Sequence, residues 1–194
     1  MGKPHQQRKQ EIIQSTLALA AELGVKKVTT QAIADRVGVA QATIFRHFKT
    51  RDAIFAEAIA WLASQLFLVL SDCFQSQQDA DQRLQRLVHR QLQFISEHKG
   101  LPRLLFSDRL HLESPALKQA VQTIMQRYTR EVAELIEEGI DRGHFRQDLD
   151  AMQSAGFITA LIQGLVMRWS IFNFDFDLEQ EAKPLWAFID SALR

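Results

Sequence analysis

Long stretches of this chain lack helix-breaking residues and repeat apolar side chains at helical spacing. Only four prolines and eight glycines occur in 194 residues. Residues 51–74 contain neither, and Ile54, Ala58 and Leu62 recur there at four-residue intervals. This spacing places side chains on one face of a helix. We find no repeat, low-complexity tract or convincing strand pair, so the sequence predicts an all-α fold of about nine helices.

Breaker and capping residues set the expected helix limits. Helices are predicted over residues 4–23, 31–37, 40 or 41 to 48, 51–74, 82–98, 102–112, 115–142 and 148 or 150 to 172, with a last helix that includes Leu185, Trp186, Ile189 and Leu193. Gly24, Gly38 and Gly143 are expected to end helices because glycine readily adopts the left-handed conformation. A threonine at 29 or 30 can cap the second helix. Pro184 leaves the start of the last helix open.

The charges are unevenly distributed although they balance overall. The chain has 23 basic and 23 acidic residues, which gives a formal net charge of zero. Residues 1–51 hold nine lysines and arginines against three acids, a balance of +6, and residues 52–194 carry −6. A basic N-terminal part followed by an acidic remainder is typical of a DNA-contacting domain joined to a second domain. A basic end of a chain is, however, often only a solvated surface. We therefore expect a DNA-binding domain at residues 1–50 and a second helical domain at residues 51–194.

The sequence disfavours secreted and membrane proteins. Cys73 is the single cysteine, so no internal disulfide can form. The first eight residues have no apolar core and do not resemble a secretory signal. The most apolar stretch, residues 151–172, contains two glutamines and an arginine, which favours a buried helix over a membrane span. We therefore expect a cytoplasmic protein with no membrane association.

No catalytic or metal-binding pattern stands out. His89, His98, His111 and His144 are scattered without the spacing of metal ligands. There is no phosphate-binding loop, paired-carboxylate signature or nucleophile with a neighbouring base. We expect no metal, no cofactor and no enzymatic activity. An acidic run in the helix 115–142, which includes Glu138, is expected to be a solvated face.

The strongest functional signal lies in residues 29–55. The run reads TTQAIADRVGVAQATIFRHFKTRDAIF and contains two short helices joined across Gly38. Small Ala34 and the glycine fit a helix-turn-helix, because the two helices approach closely and the turn requires a positive φ. The second helix would enter the major groove of DNA. Helix pairs also occur in proteins that do not bind DNA, but the flanking sequence and the charge distribution favour DNA here.

The second helix of this motif supplies the candidate base contacts. Gln41 can pair with adenine edges, while Ala42 and the Thr43 methyl can contact thymine methyls. Gln31, in the preceding helix, fits a base contact and a solvated surface about equally well. Three residues at the edge of the motif are placed to meet phosphates and release counterions: His47, Lys49 and Arg51.

At these positions the sequence resembles the TetR family of bacterial regulators. The matching residues are Thr29-Thr30, Ile33-Ala34, Gly38-Val39, Thr43-Ile44-Phe45, His47-Phe48, Lys49 and Phe55. The resemblance is specific over residues 8–60, and beyond them only the helical layout and the stretch GHFRQDLD at 143–150 are similar. It implies further DNA contacts from Thr30, Gln31 and Phe45. Ala40 and Phe45 stand where the family often has serine and tyrosine, so a helix cap worth roughly 1 kcal/mol and a phosphate hydrogen bond are lost.

The resemblance also implies how such a protein works. It implies a homodimer in which the last two helices of each chain form a four-helix bundle, and a small-molecule pocket inside each C-terminal domain. Ligand binding then changes the spacing of the two DNA-binding heads, and the commonest role is repression. The expected partners are double-stranded DNA, a second copy of the chain and an effector that the sequence does not identify.

Candidate effector-binding residues combine apolar and polar side chains on facing helices. They are Phe67, Leu70, Cys73, Leu105, Arg109, Met125, Tyr128, Leu161 and Arg168. Any single aromatic residue is more often plain core, and Cys73 fits an inert core thiol. A buried Arg109 or Arg168 would need an anion, either a neighbouring acid or a carboxylate ligand, whereas an exposed one needs neither.

The sequence thus favours a repressor that a small-molecule effector releases from a palindromic operator. Among DNA-binding proteins, the alternative is a regulator without a small-molecule effector, whose C-terminal domain serves only to dimerise. From a different class, an all-α ligand carrier or a helical-bundle enzyme remains open. Specific binding to a palindromic DNA fragment separates the regulators from the carrier and the enzyme.

Overall fold

The computed structural model describes residues 5–194, which form nine α-helices and no strand. The helices are α1 (His5–Leu23), α2 (Thr30–Val37), α3 (Gln41–His47), α4 (Arg51–Gln75), α5 (Ala80–Glu97), α6 (Gly100–Leu105), α7 (Pro115–Asp141), α8 (Ala151–Ile171) and α9 (Ala182–Leu193). A short 3₁₀ turn covers Val25–Lys27, and a π-helical turn covers Arg109–Glu113. The all-α prediction is confirmed, and Pro4 at the expected start of α1 lies outside the described residues.

Most helix ends follow the chemistry expected from the sequence. Gly24, Gly38 and Gly143 have φ of 77°, 74° and 75°, in the left-handed region that favours glycine. The Thr29 hydroxyl accepts a hydrogen bond of 3.0 Å from the N–H of Ala32 at the start of α2. The Asp150 carboxylate accepts one of 2.8 Å at the start of α8. Local residues therefore determine where these helices begin and end.

The prediction of one continuous helix over residues 102–112 was wrong. In its place, α6 ends at Leu105 and the π-helical turn Arg109–Glu113 follows after a break. The Ser107 hydroxyl lies in the break and donates to the carbonyl of Leu104 over 2.7 Å. Serine hydroxyls compete for backbone groups in this way and disfavour a continuous helix.

The described chain divides into two compact units. The first runs up to Ser64 and includes His98–Val121. It contains α1–α3, the first part of α4, α6 and the π-helical turn. Gly100 lies against the backbone carbonyl of Leu17, where any Cβ would collide, so α6 can pack this closely on α1 only with glycine there. The largest fully buried side chains of the first unit are Ile12, Ile33, Ile44, Ile54, Phe55 and Leu62.

The second unit comprises Gln65–Glu97 and Gln122–Arg194. Its core is formed by α5, α8, α9 and the remainder of α4 and α7. Its largest fully buried side chains are Leu70, Leu84, Leu87, Leu92, Ile136 and Ile162. Because the first unit extends past residue 50, the functional division at 50/51 stays a prediction.

Two helices are long and apolar enough to cross a membrane by length and composition alone. They are α4 and α8, in which a stretch of 18 residues has a mean hydropathy of 1.9 and 1.2, respectively. Core helices of soluble proteins pass the same test. Both helices contribute buried residues to the helical units.

Candidate nucleic-acid interface

Helices α2 and α3 pack through small and branched apolar side chains. Ile33, Ala34 and Ile44 are fully buried at this contact. Gly38 lies between the helices with a φ of 74°, and the N–H of Val39 donates to the carbonyl of Ala34 over 3.0 Å. The turn fixes how the two helices cross, and the predicted helix-turn-helix is present.

An ion pair also fixes α2 on α1. The two terminal nitrogens of Arg36 donate to the two carboxylate oxygens of Glu22, at 2.9 and 2.6 Å. The hydrogen bond from Arg36 lowers the pKa of Glu22 below its ordinary value. Because two parallel hydrogen bonds set direction as well as distance, the motif is held in one orientation on α1.

Helix α3 presents one face to solvent. Ala42, Phe45 and Arg46 are exposed on it, and Gln41 and Thr43 are half-buried beside them. Arg46 Nη2 donates to the Thr43 hydroxyl over 3.1 Å. The predicted set of DNA contacts omitted Arg46, although its position four residues after Ala42 puts both on one helical face. This exposed face has the size and chemistry to enter a major groove.

Two predicted base-contacting glutamines already have partners in the protein. Gln41 Nε2 donates to the Thr30 hydroxyl over 2.8 Å, which ties the start of α3 to the start of α2. Gln31 Nε2 donates to Asp35 over 2.6 Å within α2. Ala40, at the N-cap of α3, makes no side-chain hydrogen bond, as expected from its methyl group. The Gln41–Thr30 bond aligns two candidate DNA contacts at the same end of the motif.

His47 ends α3 and packs against α1. Its ring centroid lies 4.4 Å from that of His5, and its Nδ1 is buried with no hydrogen-bond partner among the described residues. Burial lowers the pKa of His47 below its ordinary value, and the charges of His5, Arg46, Arg8 and Lys9 lower it further. At neutral pH the free protein therefore presents a neutral imidazole here, where the sequence suggested a cation.

Several basic residues of this unit are engaged with acids. The pairs are Arg8–Glu11 at 2.8 Å, Lys9–Glu57 at 2.8 Å, Lys26–Asp108 at 3.4 Å and Arg36–Glu22 at 2.6 Å. Lys49 and Arg51 form no ion pair with any residue that the structure describes. Lys49 is exposed, and the Arg51 guanidinium lies 5.8 Å from the Phe55 ring centre. Lys49 and Arg51 are therefore available to phosphates.

The predicted effector-binding residues are divided between the two units. Leu105 and Arg109 belong to the first, and the other seven belong to the second. Arg109 is paired with neighbouring acids: its Nη2 donates to Asp52 and its Nη1 donates to Glu113 over 3.1 Å. The sequence allowed two partners for a buried arginine, a neighbouring acid or a carboxylate ligand. In the structure the partners of Arg109 are acids of the protein itself.

Three of the predicted effector-binding residues lie in the core of the second unit. Leu70, Cys73 and Tyr128 are buried, and the Tyr128 hydroxyl donates to Gln91 Oε1. Burial raises the pKa of the Tyr128 hydroxyl and the pKa of the Cys73 thiol above their ordinary values. Both groups are therefore protonated at neutral pH, so Cys73 is an unreactive thiol. Phe67, half-buried, stacks on Arg127, whose guanidinium carbon lies 3.8 Å from the ring centre.

The remaining three candidates are on the surface of the second unit. Met125, Leu161 and Arg168 are exposed. Because water solvates the Arg168 guanidinium, this arginine needs no anionic partner. Leu161 lines an apolar groove of about 620 Å³ on α8 and α9. Phe157 and Phe188 line the same groove, and each is 63% exposed. Periodicity in a sequence shows that a helix face is apolar but not what covers it.

Across residues 5–194, no group of three or more His, Cys, Asp or Glu side chains is arranged to hold a metal ion. The interface described above consists instead of an exposed helix face flanked by cations.

Comparison with known proteins agrees with this geometry. The profile described as "Bacterial regulatory proteins, tetR family" matches residues 12–58. The profile described as "Tetracyclin repressor-like, C-terminal domain" matches residues 107–185. Together the two matches span more than half of the chain and include the helix-turn-helix.

Relatives also match along nearly the whole chain. Nucleoid occlusion factor SlmA from Marinobacter nauticus is 27% identical over 192 residues, which cover 96% of this chain and 95% of that protein. The solved transcriptional regulator FadR from Bacillus subtilis, in complex with stearoyl-CoA, is 20% identical with a TM-score of 0.80, covering 95% of this chain and 99% of that one. A regulator from Saccharomonospora viridis in complex with choline is 25% identical with a TM-score of 0.83, covering 95% of this chain and 96% of that one.

The chain belongs to the TetR family of bacterial regulatory proteins, and it is a DNA-binding transcriptional regulator rather than an enzyme.

Proposed function

We propose that this regulator is a homodimeric repressor that binds a palindromic operator through α3 and leaves it when a small molecule binds the second unit. The exposed face of α3 carries the proposal. It places Ala42, Phe45 and Arg46 toward solvent, beside Lys49 and Arg51, which form no ion pair within residues 5–194. A helix of this kind reads base edges while the flanking cations hold the phosphates. We place this regulator in the cytoplasm, where it would meet bacterial DNA.

The groove on α8 and α9 supports a homodimer. Phe157 on α8 and Phe188 on α9 are mostly exposed, and Met152 and Ile171 on α8 are exposed as well. Exposed apolar side chains of this kind on a regulator are typical of a protein–protein contact. A second copy of the chain is the occupant that a palindromic operator requires, because the two-fold symmetry of the DNA matches that of the dimer.

Two solved regulators support a small-molecule effector. One is in complex with stearoyl-CoA and the other with choline. In this chain, the polar pair of Tyr128 and Gln91 is buried among apolar side chains, the mixture that fixes the orientation of ligands in binding sites. We keep Phe67, Leu70 and Cys73 with Tyr128 as the proposed lining.

Effector release is tested by adding ligand to a complex of the protein with an operator. The operator is first obtained by selecting bound duplexes from a random DNA pool. The fluorescence anisotropy of a labelled operator is followed while stearoyl-CoA, choline and then a metabolite panel are added. A true effector lowers the anisotropy and raises the melting temperature of the protein, because it binds the folded state. Unlabelled random duplex serves as the control for displacement by competing DNA.

A second candidate is a DNA-binding factor without an effector. The match to Nucleoid occlusion factor SlmA over 96% of this chain favours it. Mapping of chromosomal binding sites separates the two candidates. A repressor occupies a few promoters, whereas a factor of the second kind occupies many sites outside promoters and is displaced by no compound of the panel.

A further inference from the structure

Five side chains from two distant parts of the sequence meet at the start of α4. The Arg109 guanidinium lies 5.7 Å from the Phe55 ring centre, and that of Arg51 lies 5.8 Å from the same centre. Arg109 donates to Asp52 and to Glu113. The arginine is only 19% exposed, and its Nε is buried with no partner in the described chain. Such a cluster holds Arg109 firmly, because a charged hydrogen bond in a poorly solvated place is stronger than one in water.

Asp52 is badly placed for a protein that binds phosphates. It directly follows Arg51, in the first turn of α4, and its side chain is 39% exposed. A free carboxylate there would repel the DNA backbone and attract the Arg51 guanidinium. The bond from Arg109 occupies this carboxylate. Burial lowers the pKa of Arg109 below its ordinary value, and the positive charge of Arg51 lowers it further.

We infer that Arg109 is a positioning residue for DNA binding, which holds Asp52 so that Arg51 remains free to bind a phosphate. This inference rests on the proposed phosphate contact of Arg51. Arg109 lies 57 positions after Asp52 in the chain, outside the helix-turn-helix and inside the part matched by the C-terminal profile. One ion pair thus lets the segment Arg109–Glu113 determine the charge beside the recognition helix.

The test compares Arg109→Gln, Asp52→Asn and the double variant by fluorescence anisotropy on specific and random duplexes of equal length over a range of salt. Arg109→Gln should bind both duplexes about fivefold more weakly, as expected for one uncompensated charge within a Debye length of phosphates. Its salt slope should fall by up to about one unit, because Arg51 is withdrawn from the DNA. Asp52→Asn should bind about twofold more tightly than the wild type, and the double variant should match Asp52→Asn.

Lys118→Gln is the matched control, since Lys118 is exposed in the same unit and its loss changes the net charge equally. It should bind within about twofold of the wild type. A purely structural ion pair would predict the opposite pattern: Asp52→Asn would lower the melting temperature, and the double variant would not regain DNA affinity. Either that result or wild-type affinity of Arg109→Gln overturns the inference.

A folding defect and a failure of the proposed interface are both distinguishable. If Arg109→Gln does not fold, Arg109→Lys keeps a positive charge beside Asp52 and should bind DNA more tightly than Arg51→Ala does. If Arg109→Lys folds but binds as weakly as an Arg51→Ala variant at every salt concentration, the inference is wrong, because the charge of the lysine alone should be enough to hold Asp52. If Lys49→Ala and Arg51→Ala also bind random DNA as the wild type does, the proposed phosphate contacts fail, not this inference alone.

Discussion

Gln41 and Lys49 separate the reading of bases from the holding of the DNA backbone. Lys49→Ala should weaken binding to every duplex similarly and lower the salt slope by about one unit, because one phosphate contact is lost. Gln41→Ala should relax base preference at one position in each half-site, because a bidentate contact to a base is lost. Affinity for a set of operators with single base changes, measured at several salt concentrations, checks both expectations.

The control for Gln41 is Thr30→Val. This variant removes the hydroxyl that accepts the 2.8 Å bond from Gln41 but keeps the shape of the side chain. Base preference should broaden less than in Gln41→Ala, because the glutamine remains and only its alignment is lost. Equal losses on specific and random DNA for Gln41→Ala and Lys49→Ala would show that α3 is not the recognition helix.

His47 gives the interface a pH dependence of defined sign. Its pKa lies below 6.5, so at pH 7.5 it adds no charge and His47→Gln should leave the salt slope unchanged. As the pH falls below 6.5 the wild-type imidazole gains a proton, and nearby phosphates favour the charged form. Wild-type affinity should therefore rise more than that of His47→Gln as the pH is lowered below 6.5, measured on the same duplex. A slope that falls by a full unit in His47→Gln at pH 7.5 would contradict a neutral side chain.

Single residues were predictable where their partners are close in the sequence. Thr29 and Asp150 cap helices through the N–H groups three residues later, and short motifs predict such bonds. The partner of Arg109 was not predictable, because Asp52 is 57 residues away. Glu138 was expected to be solvated, yet it accepts a 2.7 Å bond from the buried Arg83, 55 residues away. Only the tertiary fold creates these contacts.

At the scale of elements, Arg83 holds the end of α4 from within the second unit. It is 4% exposed, and it donates to the carbonyls of Cys73 and Phe74 over 2.9 and 2.8 Å and to Glu138 over 2.7 Å. The last carbonyls of a helix have no partner within the helix, so the arginine supplies one. Arg83→Met should lower the free energy of unfolding by about 2–4 kcal/mol, because buried acceptors and a carboxylate lose their donor.

Urea denaturation checks this value, and Arg90→Met on the same helix is the matched control. Arg90 pairs with the exposed Asp72 at 3.3 Å. Its loss should cost less than about 1 kcal/mol, as for other solvated ion pairs. Equal costs for the two variants would mean that Arg83 does not stabilise the end of α4.

Helix limits were predictable where local signals agree, and failed where they conflict. The bounds of α1–α4, α7 and α8 differ from the predicted ones by at most a few residues, because glycines and capping side chains mark them. Residues 102–112 carry an apolar pattern without a breaker, and the predicted helix there is interrupted. A serine hydroxyl and the packing of Gly100 on α1, neither of which periodicity reports, determine where α6 lies and ends.

At the scale of the whole molecule, the groove on α8 and α9 predicts which change separates the protomers. Phe188→Glu should give monomers by light scattering and weaken operator binding, because the exposed ring would lose its apolar partner. Ile189, next in the chain, is buried within its own unit, so a charge there would disturb folding as well. The control is Leu112→Glu, since Leu112 is 80% exposed in the first unit and its variant should remain dimeric. A dimeric Phe188→Glu would place the interface elsewhere.

The function of the whole molecule could be predicted from a few residues, and its effector could not. The helix-turn-helix is encoded by contiguous residues with steric requirements, so its glycine, small residue and cations were recognisable. The predicted effector-binding residues fall in both compact units and partly on the surface, because apolar periodicity does not distinguish a cavity wall from a core or from a protomer contact.

Selection of bound duplexes from a random DNA pool tests the central claim, that two copies of α3 read a two-fold symmetric site. A dimer that places two copies of α3 in successive major grooves should select a palindrome whose half-sites have centres about 34–36 Å apart, or a multiple of that spacing. Selection with Gln41→Ala should lose the base preference at one symmetric pair of positions. A single asymmetric site, or the same site for the wild type and Gln41→Ala, would show that two copies of α3 do not read the operator in this way.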